Sequence, residues 1–417
     1  VRDWWKRIAV PAEKRVVVMP FLGFGDEQAG IGFADDLRRN LLRVSDDWQA
    51  TPVAEVRQAN LLSLDWQNLL RKLGANLVVS GEVQQSGNQL KIKFRIQNSF
   101  LYTYAEEEVS GTSSELATLQ ARIAERVADN LNLKKLARAT AYGQQLQLTN
   151  LQAGEQYLIA LGELQKGLNR DSVEKPIEIL TRLIESEGNS ARLQSALARA
   201  YLNKYIFTQV PNWAEKALEA ATEAIKLSPD QADAYLITRG MVYVELGESE
   251  AALKDFQAVQ TAYANDWEAL NGAALAYRLA GNFQQAEQIY SRMIALWPNY
   301  WDGYNELGDF YAERGDYQNA IKNWQQVIRL LPDSPIGYIN LALAYQQFGD
   351  QAKAIDHYLL AINKDLTRDS YEARANLGTV YFEQQQYELA RRYFQEALEI
   401  AQESGRQDPR VFANLAD

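Results

Sequence analysis

From residue 233 to residue 404 the chain repeats itself at intervals of 34 residues, and nothing else in it restricts the fold as strongly. Five successive repeats, 233–266, 267–300, 301–334, 335–368 and 371–404, share one pattern, with two extra residues before the last. The eighth position is small in each: Gly240, Ala274, Gly308, Ala342 and Gly378. The eleventh is Tyr243, Tyr277, Tyr311, Tyr345 and Tyr381, and the twentieth is Ala252, Ala286, Ala320, Ala354 and Ala390. The twenty-fourth is aromatic throughout: Phe256, Tyr290, Trp324, Tyr358 and Phe394. Apolar residues recur at helical spacing, so each repeat reads as two antiparallel helices joined by a short turn such as the one at Gly315. Small residues let the two helices approach, and the aromatics fill the space between successive pairs. No repeat can bury its apolar face alone, so the repeats must stack and share a continuous core.

The pattern extends upstream. Residues 191–232 form a repeat with Ala198, Tyr201, Ala217, Ala221 and Pro229, and with an extra stretch, "NKYIFTQVPNW", read as lying between its two helices. A weaker repeat lies near 155–188, and "DPRVFANLAD" after residue 404 begins a further helix, a cap or a cut edge over 405–417. These residues resemble the tetratricopeptide-repeat family, with about seven repeats over residues 153–404.

Residues 14–133 alternate strand and helix signals. "KRVVVMPF" reads as a buried strand, "AGIGFADDLRRNLLRVS" as a helix with Ile31, Ala34, Leu37, Leu41 and Leu42 on one face, and "WQATPV" as a short second strand. "DWQNLLRKLG" reads as a short helix closed by Gly74. "ANLVVSGEVQQSGNQLKIKFRIQNSF" reads as a hairpin turning at Ser86-Gly87-Asn88, with "YTYAEEEVSG" as a further strand. "SSELATLQARIAERVADNLNL" is an amphipathic helix, expected to be capped by Ser113 or Ser114. The expected fold is a mixed α/β sandwich domain at 14–135, then an all-α tetratricopeptide-repeat solenoid, with linkers at 1–13 and 136–152. "VVVMPF", "GFADDLRRNLLRV", "LLRKLGANLVVSGEVQQSGNQLKIKFRIQN" and "LQARIAERVADNL" together resemble the TolB amino-terminal-like domain. That resemblance implies the extracytoplasmic part of a bacterial membrane-anchored signalling protein, with a Ser/Thr kinase or nucleotide cyclase upstream; cytoplasmic placement is the other reading. No kinase or cyclase motif occurs in these 417 residues.

Composition narrows the chemistry. The chain has no cysteine, which excludes thiolate nucleophiles and cysteine-based metal sites, and its one histidine, His357, argues against a histidine-based metal cluster or a Ser-His-Asp triad. The net charge of −11 argues against a nucleic-acid partner. Residues 1–150 carry 19 basic and 17 acidic side chains, the remainder 24 and 37, so the acidic excess belongs to the repeats. The opening "VRDWWKRIAVP" begins at Val1 and places Trp4 and Trp5 among basic residues, as happens just beyond a membrane helix; an anchor upstream of Val1 is expected.

Candidate chemical sites are few. "FLGFGDEQAGIG" follows a strand and precedes a helix, but Gln28 stands where a dinucleotide fingerprint needs its third glycine. Asp35 and Asp36 are adjacent on a helix and point apart, a poor acid/base pair. Glu106 and Glu108 share one face of a strand, with Glu107 on the other. No cofactor or metal follows from these residues. The concave groove lined by the first helices is the better candidate. Asn271, Asn305, Asn340 and Asn376 form an expected ladder that could hold an extended peptide backbone, in a groove made acidic by Asp302, Asp309 and Glu313. Phe207 and Trp213, in the extra stretch, are expected to anchor a partner or the amino-terminal domain. The expected function is a non-catalytic sensor or docking module for a basic or neutral protein or peptide, with homodimerisation left open. The alternatives are a freestanding scaffold or assembly factor and, with no nucleophile, acid and base set to support it, a hydrolase.

Overall fold

The computed structural model describes residues 10–11, 14–45, 48–53, 56, 69–70, 73, 75–100, 102–134, 148, 150–166, 168–364 and 371–403. Trp4 and Trp5, Gly74, most of "DWQNLLRKLG", the linker over 136–147 and the segment 405–417 lie outside the described residues. The chain forms two compact units, Val1–Ala286 and Glu287–Asp417.

The first unit opens with a five-stranded sheet in the order β2-β1-β3-β4-β5. β1 (Lys14–Val18) lies parallel to β2 (Trp48–Ala50) and to β3 (Leu77–Ser86), and the β3 pairing aligns Val17 with Val78. β3, β4 (Gln89–Asn98) and β5 (Thr103–Thr112) form an antiparallel meander turning at Gly87, as the alternation of Leu90, Ile92, Phe94 and Ile96 predicts. Those four side chains, with Val16, Val18 and Val79, face α1 (Glu27–Val44) and α2 (Leu116–Asn130) in one core. The opposite face of β1 and β3 packs Val17, Met19 and Val78 against Val56, Leu69 and Leu70.

One cap differs from expectation. α2 is preceded by a 3-10 turn at Ser113–Glu115, and its N-cap is Glu115, with no side-chain cap bond to the helix. The Glu115 carboxylate instead turns back to accept from the Thr112 amide at 2.7 Å.

Seven helix pairs follow among the described residues, each made of a first and a second helix. In the first unit these are α3 (Leu151–Glu163) with α4 (Arg170–Glu187), α5 (Ala191–Thr208) with α6 (Pro211–Leu227), and α7 (Asp233–Glu245) with α8 (Ser249–Ala262), followed by α9 (Trp267–Leu279). α10 (Phe283–Leu296) carries the boundary between the units. The second unit continues with α11 (Trp301–Glu313) and α12 (Tyr317–Leu330), α13 (Ile336–Gln347) and α14 (Gln351–Lys364), and α15 (Tyr371–Glu383) and α16 (Tyr387–Glu403).

The repeat signature acts as its spacing implies. A Cβ added at Gly240 would sit 2.8 Å from the Phe256 ring, one at Gly308 2.4 Å from Trp324 Nε1, and one at Gly378 2.7 Å from Phe394. Phe256 also abuts Gly272 on the next first helix, so a single aromatic fills the space both within and between pairs. "NKYIFTQVPNW" does not lie between two helices. α5 runs helical through Thr208, turns in one left-handed residue at Gln209, and Pro211 starts α6. The extra residues lengthen both helices because Pro tolerates the first helical turn and nothing before Gln209 breaks the pattern.

Candidate interaction site on the first helices

α1 is buried on almost every side, including its polar one. Its glycines explain how. A Cβ on Gly32 would lie 1.8 Å from the Leu158 carbonyl oxygen of α3, and one on Gly162 would lie 2.1 Å from the Gln28 carbonyl oxygen of α1. The two backbones approach as closely as only glycine on both sides permits. Gly25 adds a hydrogen bond from its amide to Glu155 Oε1 at 3.0 Å. Of the glycines of "FLGFGDEQAGIG", Gly25 and Gly32 thus serve the helix crossing, while Gly23 approaches the Val83 backbone and Gly30 that of Phe21.

From that crossing α1 continues over the first helices of the next repeats. Arg192 of α5 bonds Asp36, with both side chains nearly inaccessible. Arg199 of α5 lies 3.5 Å from Asp35. Arg43 reaches Asp233 of α7 at 3.5 Å and stacks over the Tyr263 ring. Arg38 donates to Glu268 of α9 at 2.7 Å, and Arg39 lies 3.7 Å from the same carboxylate. Along α1 these partners do not follow chain order, since Arg38 and Arg39 meet α9 while Arg43, more than a turn further on, meets α7; the long arginine side chains carry the contact to four repeats. α1 touches α3, α5, α7 and α9, the first helices of four successive repeats.

The charges hold one another. Burial works to raise the pKa of Asp35, but Arg39, Arg199 and Arg38 outweigh it and hold the carboxyl well below the usual carboxylate range. Burial likewise opposes ionisation of Glu268, and Arg39, Arg38 and Arg199 bring it down to about 2. Asp266, which caps α9 by accepting from the Ala269 amide at 2.9 Å, goes the other way, raised by burial. None of these groups was legible as a site in the sequence. Asp35 and Asp36 point apart as expected, and each meets its own arginine.

The asparagine ladder divides. In the second unit Asn340 Nδ2 donates to Asn305 Oδ1 at 2.9 Å, and Asn305 Nδ2 donates to Asp309 at 3.3 Å. Asn376 lies beside the Tyr358 hydroxyl, which donates to Gln346 at 3.0 Å. In the first unit Asn271 is half-buried, and its Oδ1 has no hydrogen-bond partner among the described residues. Phe207 is half-buried on α5. Trp213 stacks on Tyr201 at 5.7 Å between ring centres and carries Lys204 and Lys216 over its ring at 3.8 and 4.6 Å.

The remaining candidates resolve into packing and ion pairs. Glu106 pairs with Arg95 and Glu108 with Lys91, each at 3.0 Å, and Glu107 on the other face pairs with Arg126 at 2.8 Å. His357 bonds the Lys353 carbonyl at 2.8 Å and packs on Tyr345. Among the described residues no cluster of three or more His, Cys, Asp or Glu could hold a metal, and no helix is long and apolar enough to cross a membrane.

Comparison with known proteins agrees with the repeat architecture. Tetratricopeptide-repeat models match residues 237–300, 337–363 and 369–417, and a TPR repeat model matches 308–349. The carboxy-terminal part of the chain is therefore built of tetratricopeptide repeats. No curated protein matches the chain. Among solved structures, the human IFIT1 dimer with PPP-AAAA is similar at 14% identity over 72% of this chain and 75% of that one, with a TM-score of 0.50. A tetratricopeptide repeat protein from Parabacteroides merdae aligns at 20% identity over 59% of this chain and 91% of its own, with a TM-score of 0.46. At such identities the likeness concerns the fold. Repeats of this kind imply a protein-interaction or scaffold module.

Proposed function

We propose that the chain is the non-catalytic docking part of a membrane-anchored bacterial signalling protein, facing away from the cytoplasm, and that it binds a protein partner on the first helices of its second unit. The observation that carries the binding reading is the contrast between the units. In the first, α1 lies across the first helices. In the second, α11, α13 and α15 pack, among the described residues, against neighbouring helices of their own stack, with Asn305 and Asn340 half-buried on them. The signalling context is supported by the resemblance of residues 14–133 to the TolB amino-terminal-like domain and by the aromatic, basic opening at Trp4 and Trp5.

Affinity capture from the source cell with three versions of the chain tests the binding reading. The unaltered chain and Lys322→Glu, on the second helix α12, should retain the same partner, and Asn340→Arg should lose it. Capture indifferent to Asn340→Arg would place the site elsewhere. The gene upstream of Val1 tests the context: a membrane helix preceded by a kinase or cyclase supports it, and their absence leaves a freestanding scaffold.

A further inference from the structure

The two hairpin turns of the sheet differ in what they expose. The turn between β3 and β4 presents Gln85, Ser86, Gly87 and Asn88, none of them apolar and all exposed. The turn between β4 and β5 presents Phe100 and Tyr102, 57% and 44% exposed. Asn98, itself buried, fixes that second turn. Its Oδ1 accepts from the Phe100 amide at 2.9 Å and from the Tyr102 amide at 3.0 Å, and its own amide donates to the Tyr102 carbonyl at 3.0 Å. Its Nδ2 donates to the Tyr104 hydroxyl at 3.3 Å, and the Tyr104 ring meets that of Tyr102 edge-on at 5.4 Å between centres. One asparagine thus holds two large aromatic side chains in the open, where a turn ordinarily carries polar residues.

This turn lies at the end of the sheet where the chain enters. β1 and β3 start there, β4 ends there and β5 leaves from it, as the pairings of Val16 with Leu77, Leu77 with Asn98 and Gln97 with Thr103 require. Asn76 ties entry strand and turn together. Its amide donates to the Arg15 carbonyl at 3.0 Å, its Oδ1 accepts from the Arg15 amide at 2.9 Å, and its carbonyl accepts from the Ser99 amide at 3.1 Å. Nine residues lead from Trp5 to Lys14, at most about 30 Å of chain, so the turn stays near whatever Trp5 rests on. Residues 1–15 hold five basic side chains, Arg2, Lys6, Arg7, Lys14 and Arg15, against Asp3 and Glu13.

Resting on the reading that the chain is anchored in a membrane upstream of Val1, we infer that this end of the sheet rests on the lipid surface, with Phe100 and Tyr102 among the headgroups. Aromatic side chains favour that layer, tyrosine most plainly because its ring is apolar and its tip polar. The basic entry segment adds attraction to anionic lipid. A nearby anchor keeps the turn at high effective concentration over the bilayer, so a contact too weak to hold the free chain suffices.

The chain has no cysteine, so a single introduced one can be labelled without ambiguity. Thr103→Cys, exposed beside the turn, and Leu22→Cys, 72% exposed beside Glu82 further along β3, each carry an environment-sensitive fluorophore. The whole chain, fused before Val1 to an artificial membrane helix of Leu and Ala, is placed in vesicles of phosphatidylcholine and phosphatidylglycerol containing lipid spin-labelled at the headgroup. The fluorophore at position 103 should shift to the blue and be quenched, and the one at position 22 should do neither. Phe100→Ser with Tyr102→Ser should abolish the quenching at position 103; circular dichroism confirms that the variants fold. No quenching at position 103, or quenching that survives the loss of both aromatics, overturns the inference. Equal quenching at both positions reduces it to mere nearness of the bilayer and overturns it as well. Sedimentation of the free chain tests the other occupant: a dimer abolished by Phe100→Ser with Tyr102→Ser gives the turn to a second copy and overturns the lipid contact. Because the membrane helix is supplied artificially, a gene with no such helix upstream of Val1 would remove the anchoring reading, while quenching confined to position 103 would still assign the turn to lipid.

Discussion

Single atoms decide where α1 can lie. Gly32 and Gly162 face carbonyl oxygens across the α1–α3 crossing, so a methyl group there must push backbone apart rather than a side chain aside. Gly32→Ala should therefore destabilise the first unit by about 3 kcal/mol, the upper end for overpacking, measured by denaturant unfolding. The same test on Ala320, fully buried beneath Trp324, should cost about 1–3 kcal/mol for Ala320→Leu. The turns offer a change of opposite sign. Gly247, Gly281, Gly315 and Gly349 all take positive φ at the turn between helices, and the equivalent residue of the last repeat is Gln385 at φ 61°. Gln385→Gly should stabilise the second unit by about 1 kcal/mol, since a side chain in the left-handed region is disfavoured by that order. The small and aromatic positions of the repeat were legible because their partners lie 16 residues away at a fixed offset. Gly32 was not, because the residue it meets lies more than a hundred positions along the chain, and a glycine-rich loop before a helix fits a turn, a phosphate site or a helix crossing equally well.

At the scale of elements, α1 was legible as a helix but not as the element that joins the sheet to the repeats. The apolar face of Ile31, Ala34, Leu37 and Leu41 packs on the sheet, as periodicity requires. Its other face is charged, and charge on a helix ordinarily marks solvent, so Asp35, Asp36, Arg38 and Arg43 read as a surface until Arg192, Arg199, Asp233 and Glu268 arrive from elements far downstream. Removing one member of such a pair leaves its partner buried without compensation. Asp36→Ala and Arg192→Ala should each destabilise the first unit by about 3–5 kcal/mol, and the double variant by much less than the sum, as a double-mutant cycle of unfolding free energies would show. The long pair α5 and α6 teaches the same lesson in reverse. A stretch too long for the repeat suggested a loop, but its residues had no helix-breaker before Gln209 and the helix simply continued.

For the molecule as a whole, the ion pairs between sheet domain and repeats give the first unit a defined response to acid. Glu268 ionises at about 2 in the folded chain against an ordinary value of 4.5, and Asp35 is also held below its ordinary range. Groups depressed in this way contribute stability above their unfolded pKa and lose it as pH falls toward the folded value. Asp266 opposes them, because its raised pKa makes ionisation costly when folded, and protonation relieves that cost. Two depressed carboxylates against one raised predict a net fall in the melting temperature of the first unit from about pH 4.5 to about pH 2, with Glu268→Gln flattening the slope. The division of labour between the units can be read directly. Hydrogen exchange should be followed on the whole chain with and without the captured protein partner. Slowed exchange confined to α11, α13 and α15, with α1, α5, α7 and α9 unchanged, is the predicted result. Slowing along α5, α7 and α9, accompanied by faster exchange in α1, would show that the partner competes for the face α1 occupies and would contradict the account.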